Sequence, residues 1–189
     1  KVHEGCAMSS AESTSISTPA LASVDYDPFV DAQLQRVVPV TEPQREVWLA
    51  DKLSREASLA YNESISVLFR GLMDFTAMRA AVQGLVDRHE SLRATLSPEG
   101  DELCIVEHLA LDVPLLDWRA LAEAERDARL RAHLEAVVRV HFDLENGPLF
   151  RVELVRLTDD QTALVISAHH IVCDGWSFGV LLSDLAGLY

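Results

Sequence analysis

An apolar run ends in two histidines, and Asp-Gly follows after three intervening residues: Ser167-Ala168-His169-His170-Ile171-Val172-Cys173-Asp174-Gly175-Trp176-Ser177. An isolated imidazole titrates near pH 6.5, so close to neutrality it can accept a proton and return it. Neighbouring strand residues point to opposite faces of a sheet. His170 therefore shares a face with Leu164, Ile166 and Ala168, and His169 shares one with Val165 and Ser167. One imidazole can then face a cavity while the other packs inward. Two buried histidines bonded to backbone would have the same sequence. Asp174 can fix the local geometry or neutralise a nearby cation. Gly175 admits backbone conformations closed to other residues and a close approach by a ligand.

Three other chemistries fit less well. A metal site from His169, His170 and Asp174 would use diverging strand histidines and has no evident fourth ligand. A Cys173–His170 nucleophile pair needs only a thiolate beside a base, but Cys173 reads more simply as a small packing residue in an apolar turn. A serine hydrolase needs its nucleophile elbow, and no GxSxG is present. General-base or proton-positioning chemistry at His170 survives best.

The elements that position this segment follow from periodicity. Organised structure is expected to start near Thr41, where Thr41-Glu42-Pro43-Gln44 reads as a capping box before a helix carrying Val47, Trp48, Leu49 and Leu53. Ile65, Val67 and Phe69 alternate with Ser64, Ser66 and Leu68 as a strand. Asp74 caps a helix with Phe75, Met78, Val82, Leu85 and His89 along one stripe. Leu92–Leu96 and Leu103–Val106 bracket a turn-rich hairpin connection. A long helix is expected over about Arg119–Val140. After the break at Asn146-Gly147-Pro148, strands Leu149–Leu157 and Thr162–His169 pair, and a last helix covers about Trp176–Leu188. Hairpins mixed with helices predict an α+β two-layer sandwich with a mixed or antiparallel sheet.

Bulk properties narrow the class. With 189 residues, 49% hydrophobic and 24% charged, the chain is a globular domain or one lobe of a larger one. A formal net charge of −14 makes nucleic acid a poor partner. No apolar run approaches the roughly 20 residues of a bilayer crossing, and no signal peptide is visible. A cytoplasmic protein with reduced Cys6, Cys104 and Cys173 is expected. None of the eight glycines forms a phosphate-cradling loop. Residues 1–36 read as a flexible tail, with Lys1–Ala7 an expression-vector scar and the remainder a linker or docking segment. Residues 37–189 form the folded unit.

His169-His170-Ile171-Val172-Cys173-Asp174-Gly175 resembles the HHxxxDG motif of nonribosomal peptide synthetase condensation domains, which share the chloramphenicol acetyltransferase-like fold. Thr41-Glu42-Pro43-Gln44-Arg45-Glu46-Val47-Trp48-Leu49 is similar to the family's first motif. Arg88-His89-Glu90-Ser91-Leu92-Arg93-Ala94-Thr95-Leu96 is similar to the second, RHExLRTxF, departing from it at Ala94 and Leu96. Phe142-Asp143-Leu144-Glu145-Asn146-Gly147-Pro148-Leu149 matches a further family segment. In order, these cover Thr41 to Tyr189.

The resemblance implies an N-terminal lobe that needs a C-terminal lobe of the same domain. His170 would sit where two tunnels meet, while an acceptor aminoacyl amine attacks a donor acyl or peptidyl thioester to form an amide. Asp174 would be a framework residue paired with Arg88, or failing that Arg93. No cofactor is implied; substrates would ride on 4′-phosphopantetheine arms of an upstream acyl or peptidyl carrier protein and a downstream peptidyl carrier protein. The fragment alone is expected to be inactive. The paired histidines disfavour cyclisation, since cyclising members carry aspartates there. The Thr41-to-Asn62 stretch is similar to domains that follow a polyketide synthase module. The rivals are a free-standing coenzyme A-dependent acyltransferase of the same superfamily and a non-catalytic docking module.

Overall fold

The computed structural model describes residues 33–189, so the expected tail lies outside the described residues except for its last four. Organised structure begins before Thr41, with β1 (Leu34–Pro39). This strand pairs antiparallel with β4 (Glu102–Val106), which forms a hairpin with β3 (Ala94–Leu96), giving a three-stranded sheet in the order β1-β4-β3. The hairpin turn needs Gly100: its φ is +68°, and a Cβ there would stand 2.1 Å from the Trp48 indole. That contact ties the turn to α1 (Glu42–Leu53).

The second sheet has four strands in the order β2-β7-β6-β5. β2 (Asn62–Arg70), β7 (Gln161–His169) and β6 (Phe150–Arg156) are antiparallel, and β5 (Leu115–Asp117) joins β6 in parallel. The α+β class and the mixed sheet expected from the sequence are therefore present. β7 is buried along nearly its whole length because both faces are covered. Leu164, Ile166 and Ala168 belong to the main core, with Val152 and Leu154 of β6. Against them pack α3 (Phe75–Arg88) and α5 (Gly175–Leu188), through Met78, Leu85, Phe178 and Leu181. Each such large side chain contributes about 1.5–3 kcal/mol by leaving water.

The sandwich of sheet against α3 and α5 gains further cover on its other face. Ala163, Val165 and Val155 point there and meet Leu130 and Leu134 of α4 (Glu123–Val137). This helix is shorter than the Arg119–Val140 span expected. Asp117 ends β5, and Arg119 is engaged by the carboxylates of Asp117 and Asp159 before the helix begins.

α1 starts as the sequence indicated: Thr41 accepts from the Gln44 amide, and the Gln44 side chain takes the Thr41 N–H at 3.0 Å. A short α2 (Arg55–Leu59) leads into β2. A 3₁₀ turn over Glu90–Arg93 joins α3 to β3. A small core of Leu96, Phe142, Leu144, Leu149 and Ile171, with Val47 and Trp48 of α1 packed on it, lies beneath the double-histidine loop. Among the described residues, no helix is long and apolar enough to cross a membrane.

Candidate active site

The two histidines leave β7 with separate environments. His169 is wholly buried. Its backbone N–H reaches the Leu149 carbonyl at 3.0 Å, and its ring stands edge-on to Phe142 with centroids 6.1 Å apart. The Ile171 N–H donates to His169 Nδ1 at 3.3 Å, so Nδ1 holds the lone pair and Nε2 the hydrogen. Burial holds this imidazole down at about 4, against a partial counter-effect of the Asp51 carboxylate, so it is neutral at pH 7.

His170 instead stands at the surface, its side chain 42% exposed. Its N–H continues the ladder to the Tyr61 carbonyl at 2.8 Å. Its Nδ1 lies 2.6 Å from Glu63 Oε1. Of the two imidazoles, this one can meet a reactant.

The loop after it turns into α5 at Asp174. The Asp174 carboxylate accepts from the Ser177 N–H at 2.8 Å and the Ser177 hydroxyl at 2.6 Å, while the Asp174 N–H donates back to Ser177 Oγ. This is a helix N-cap, and the Ser177 bonds hold the carboxyl below the ordinary aspartate value.

The partner that the resemblance implied for Asp174 is thereby corrected, since neither arginine pairs with it. Arg88 Nε approaches Asp184 Oδ2 at 3.3 Å, joined there by His89 Nε2 at 2.8 Å, so this motif grips the body of α5 rather than its start. Arg93 is buried and donates to the carbonyls of Val86, Val106 and Glu107 at 3.2, 3.0 and 2.6 Å. Its fork clasps the end of α3 to the end of β4. Asp174 has a closer satisfier than either arginine: the Asp-Gly-Trp-Ser spacing is itself a capping box.

Gly175 likewise differs from expectation. Its φ lies outside the left-handed region, so glycine's conformational freedom is not used there. A Cβ at this position would meet nothing within 4 Å, and the residue lines an open groove with Trp176, Gly179, Val180 and Asp184. The groove, about 440 Å³, runs along α5 and does not include His170. Cys173 is buried, and burial pushes its thiol up to about 12, which removes the thiolate a nucleophile would need. Among the described residues, no group of three or more His, Cys, Asp or Glu is placed to hold a metal ion.

The separate sequence segments converge on this loop. Gln44 Nε2 donates to the Ile171 carbonyl at 3.1 Å, linking α1 to the residue after His170. Phe142 backs His169, and the Leu96 N–H reaches the Leu144 carbonyl at 2.8 Å. Glu63 is not singled out by the sequence reading. Its signal is its place in the inward row of β2, where Phe69, Val67 and Ile65 are apolar and the fourth member is a carboxylate.

The condensation domain family model matches residues 34–189. This chain belongs to the condensation domain family. The domain is 38% identical over 155 residues to chondramide synthase cmdD of Chondromyces crocatus, a match covering 81% of this chain and 4% of that protein. The isonitrile lipopeptide synthase of Mycobacterium tuberculosis is 37% identical over 169 residues, 87% of this chain and 6% of the relative. The condensation domain also superposes on the starter condensation domain of rhizomide synthetase RzmA with a TM-score of 0.73 at 26% identity, covering 82% of this chain and 39% of that one. The chain thus spans a few per cent of these synthases and under half of the solved domain.

Proposed function

We propose that this chain is the first lobe of a condensation domain that joins a donor acyl or peptidyl thioester to an acceptor aminoacyl amine, forming an amide on carrier proteins in nonribosomal peptide synthesis. The observation that carries the reading is the His170 ring. It is half exposed at the end of β7, while its neighbour His169 is locked away, and three other family segments brace the loop beneath it.

The chemistry requires such a ring. The amine must lose a proton as its nitrogen bonds to the thioester carbonyl, and the tetrahedral intermediate carries charge on nitrogen and oxygen. A neutral imidazole with a free nitrogen can take that proton or hold the amine in line. Holding alone lowers the barrier by several kcal/mol, because two tethered reactants no longer lose translational freedom on meeting. The reactants would arrive on phosphopantetheine arms, and no bound cofactor enters the reaction. A second lobe would close over His170, with Asp174, Arg88 and Arg93 acting as framework.

The test supplies the full-length protein with a donor-loaded and an acceptor-loaded carrier protein and follows the amide by mass spectrometry. Product from the two carrier-bound thioesters, with none from the 189-residue chain alone, is expected. Equal rates from a coenzyme A thioester and a free amine would point to a stand-alone acyltransferase and overturn the carrier-dependent reading.

A further inference from the structure

We infer that Glu63 is a positioning residue for His170, fixing which ring nitrogen carries the hydrogen; the inference rests on His170 being the reacting imidazole. Glu63 lies opposite Ala168 in the antiparallel β2·β7 ladder, so His170 is its diagonal neighbour two residues further along. Both side chains belong to the face that elsewhere packs on α3 and α5. At the strand end this face runs out of helix cover, and the row Phe69, Val67, Ile65 is completed by a carboxylate instead of an aliphatic residue.

The contact is short and the backbone around it is constrained. His170 Nδ1 stands 2.6 Å from Glu63 Oε1, and the His170 N–H bonds the Tyr61 carbonyl two residues before Glu63 at 2.8 Å. Strand β2 and the residue leading into it thus hold His170 at two points, one on the main chain and one on the ring. An ionised carboxylate only accepts, so a neutral ring must donate from Nδ1 and keep its lone pair on Nε2. With the ring anchored through Nδ1, the basic nitrogen is the far one. Aspartate or glutamate behind a histidine plays this role in other catalytic and metal-binding sites, where its loss costs about 10–100-fold or more. Asp174, the other carboxylate near the ring, is occupied by Ser177.

The experiment compares wild type, Glu63→Ala, Glu63→Gln and His170→Ala in the full-length protein, measuring amide formation between two loaded carrier proteins. Imidazole nitrogen shifts of His170 are recorded alongside. Glu63→Ala should lower kcat about 10–100-fold with acceptor KM within about twofold. The ring hydrogen should move from Nδ1 in wild type toward Nε2 in the variant. Glu63→Gln, which can still accept from Nδ1 but no longer excludes the other tautomer, should fall between. Matched melting temperatures separate these effects from unfolding. Wild-type kcat in Glu63→Ala, or a hydrogen on Nε2 in the wild type, would overturn the inference while leaving His170 in place. An unaffected His170→Ala would remove the reading of His170 itself, and the inference with it.

Discussion

His169 and His170 are adjacent in the chain, yet the first ring is wholly buried and the second stands half in solvent. Strand alternation alone would place them on opposite faces; the ends of the sheet make those faces unequal. His169 points where Phe142 closes over it, and His170 points where β7 has run past its helices.

Because His169 is buried neutral, the unfolded chain binds a proton there near pH 6.5 and the folded chain only near 4. Between those values the unfolded state holds more protons at this site, so the contribution of His169 to stability falls as pH drops from 6.5 to 4 and is level well above 6.5. The loss over that window is on the order of 3 kcal/mol. Histidine NMR checks the cause: the His169 ring signal should stay in its neutral position from about pH 7.5 to about pH 5. A titration midpoint of about 6 or higher would contradict the burial argument.

Asp174 and Arg88 form separate contacts, so their substitutions should act separately. Asp174→Ala removes an N-cap and should lower Tm by about 2–4 °C, whereas Asp174→Asn, itself a good cap, should change it little. The carboxyl is held below its ordinary value, so its contribution is complete at neutral pH and is lost only as pH falls below about 3.8 toward the lower folded value. A double-mutant cycle between Asp174→Ala and Arg88→Ala should show additivity. Coupling above about 1 kcal/mol would restore the ion pair between them.

Arg93 is the more costly arginine. Its guanidinium donates to the buried carbonyls of Val86 and Val106 and to the partly buried carbonyl of Glu107, and Arg93→Ala would leave them without those donors. Each of the two buried carbonyls costs about 1–3 kcal/mol when left unsatisfied, so urea unfolding should register a loss of about 2 kcal/mol or more. Arg88→Ala, removing a mostly exposed side chain, should cost under about 1 kcal/mol. Equal losses at the two positions would contradict this division.

The fold is legible in the sequence wherever one physical signal dominates. The Thr41 capping box, the Asp74 cap, the alternation in β2 and the β6–β7 hairpin all follow from local pattern. β1 and β5 are not visible in that way. Leu34–Pro39 ends in proline and shows no clean alternation, because it is an edge strand whose partner β4 lies far along the chain. Leu115–Asp117 is three residues long and gains its order from β6. Within the candidate site, the sequence singles out His170 because the motif resemblance names it. Glu63 is hidden because its meaning depends on register with β7, 107 residues away in the case of His170. The Asp174 pairing that the resemblance implies is not formed, because the nearest donors are a backbone amide and a serine hydroxyl three residues on.

The most direct measurement is the rate of amide formation by the full-length protein carrying His170→Ala, with carrier loading and melting temperature checked against wild type. Removing the exposed imidazole should cut that rate by about 100-fold or more. A variant that folds, accepts both loaded carriers and condenses within about threefold of wild type would show that the ring at the end of β7 is not where the bond is made.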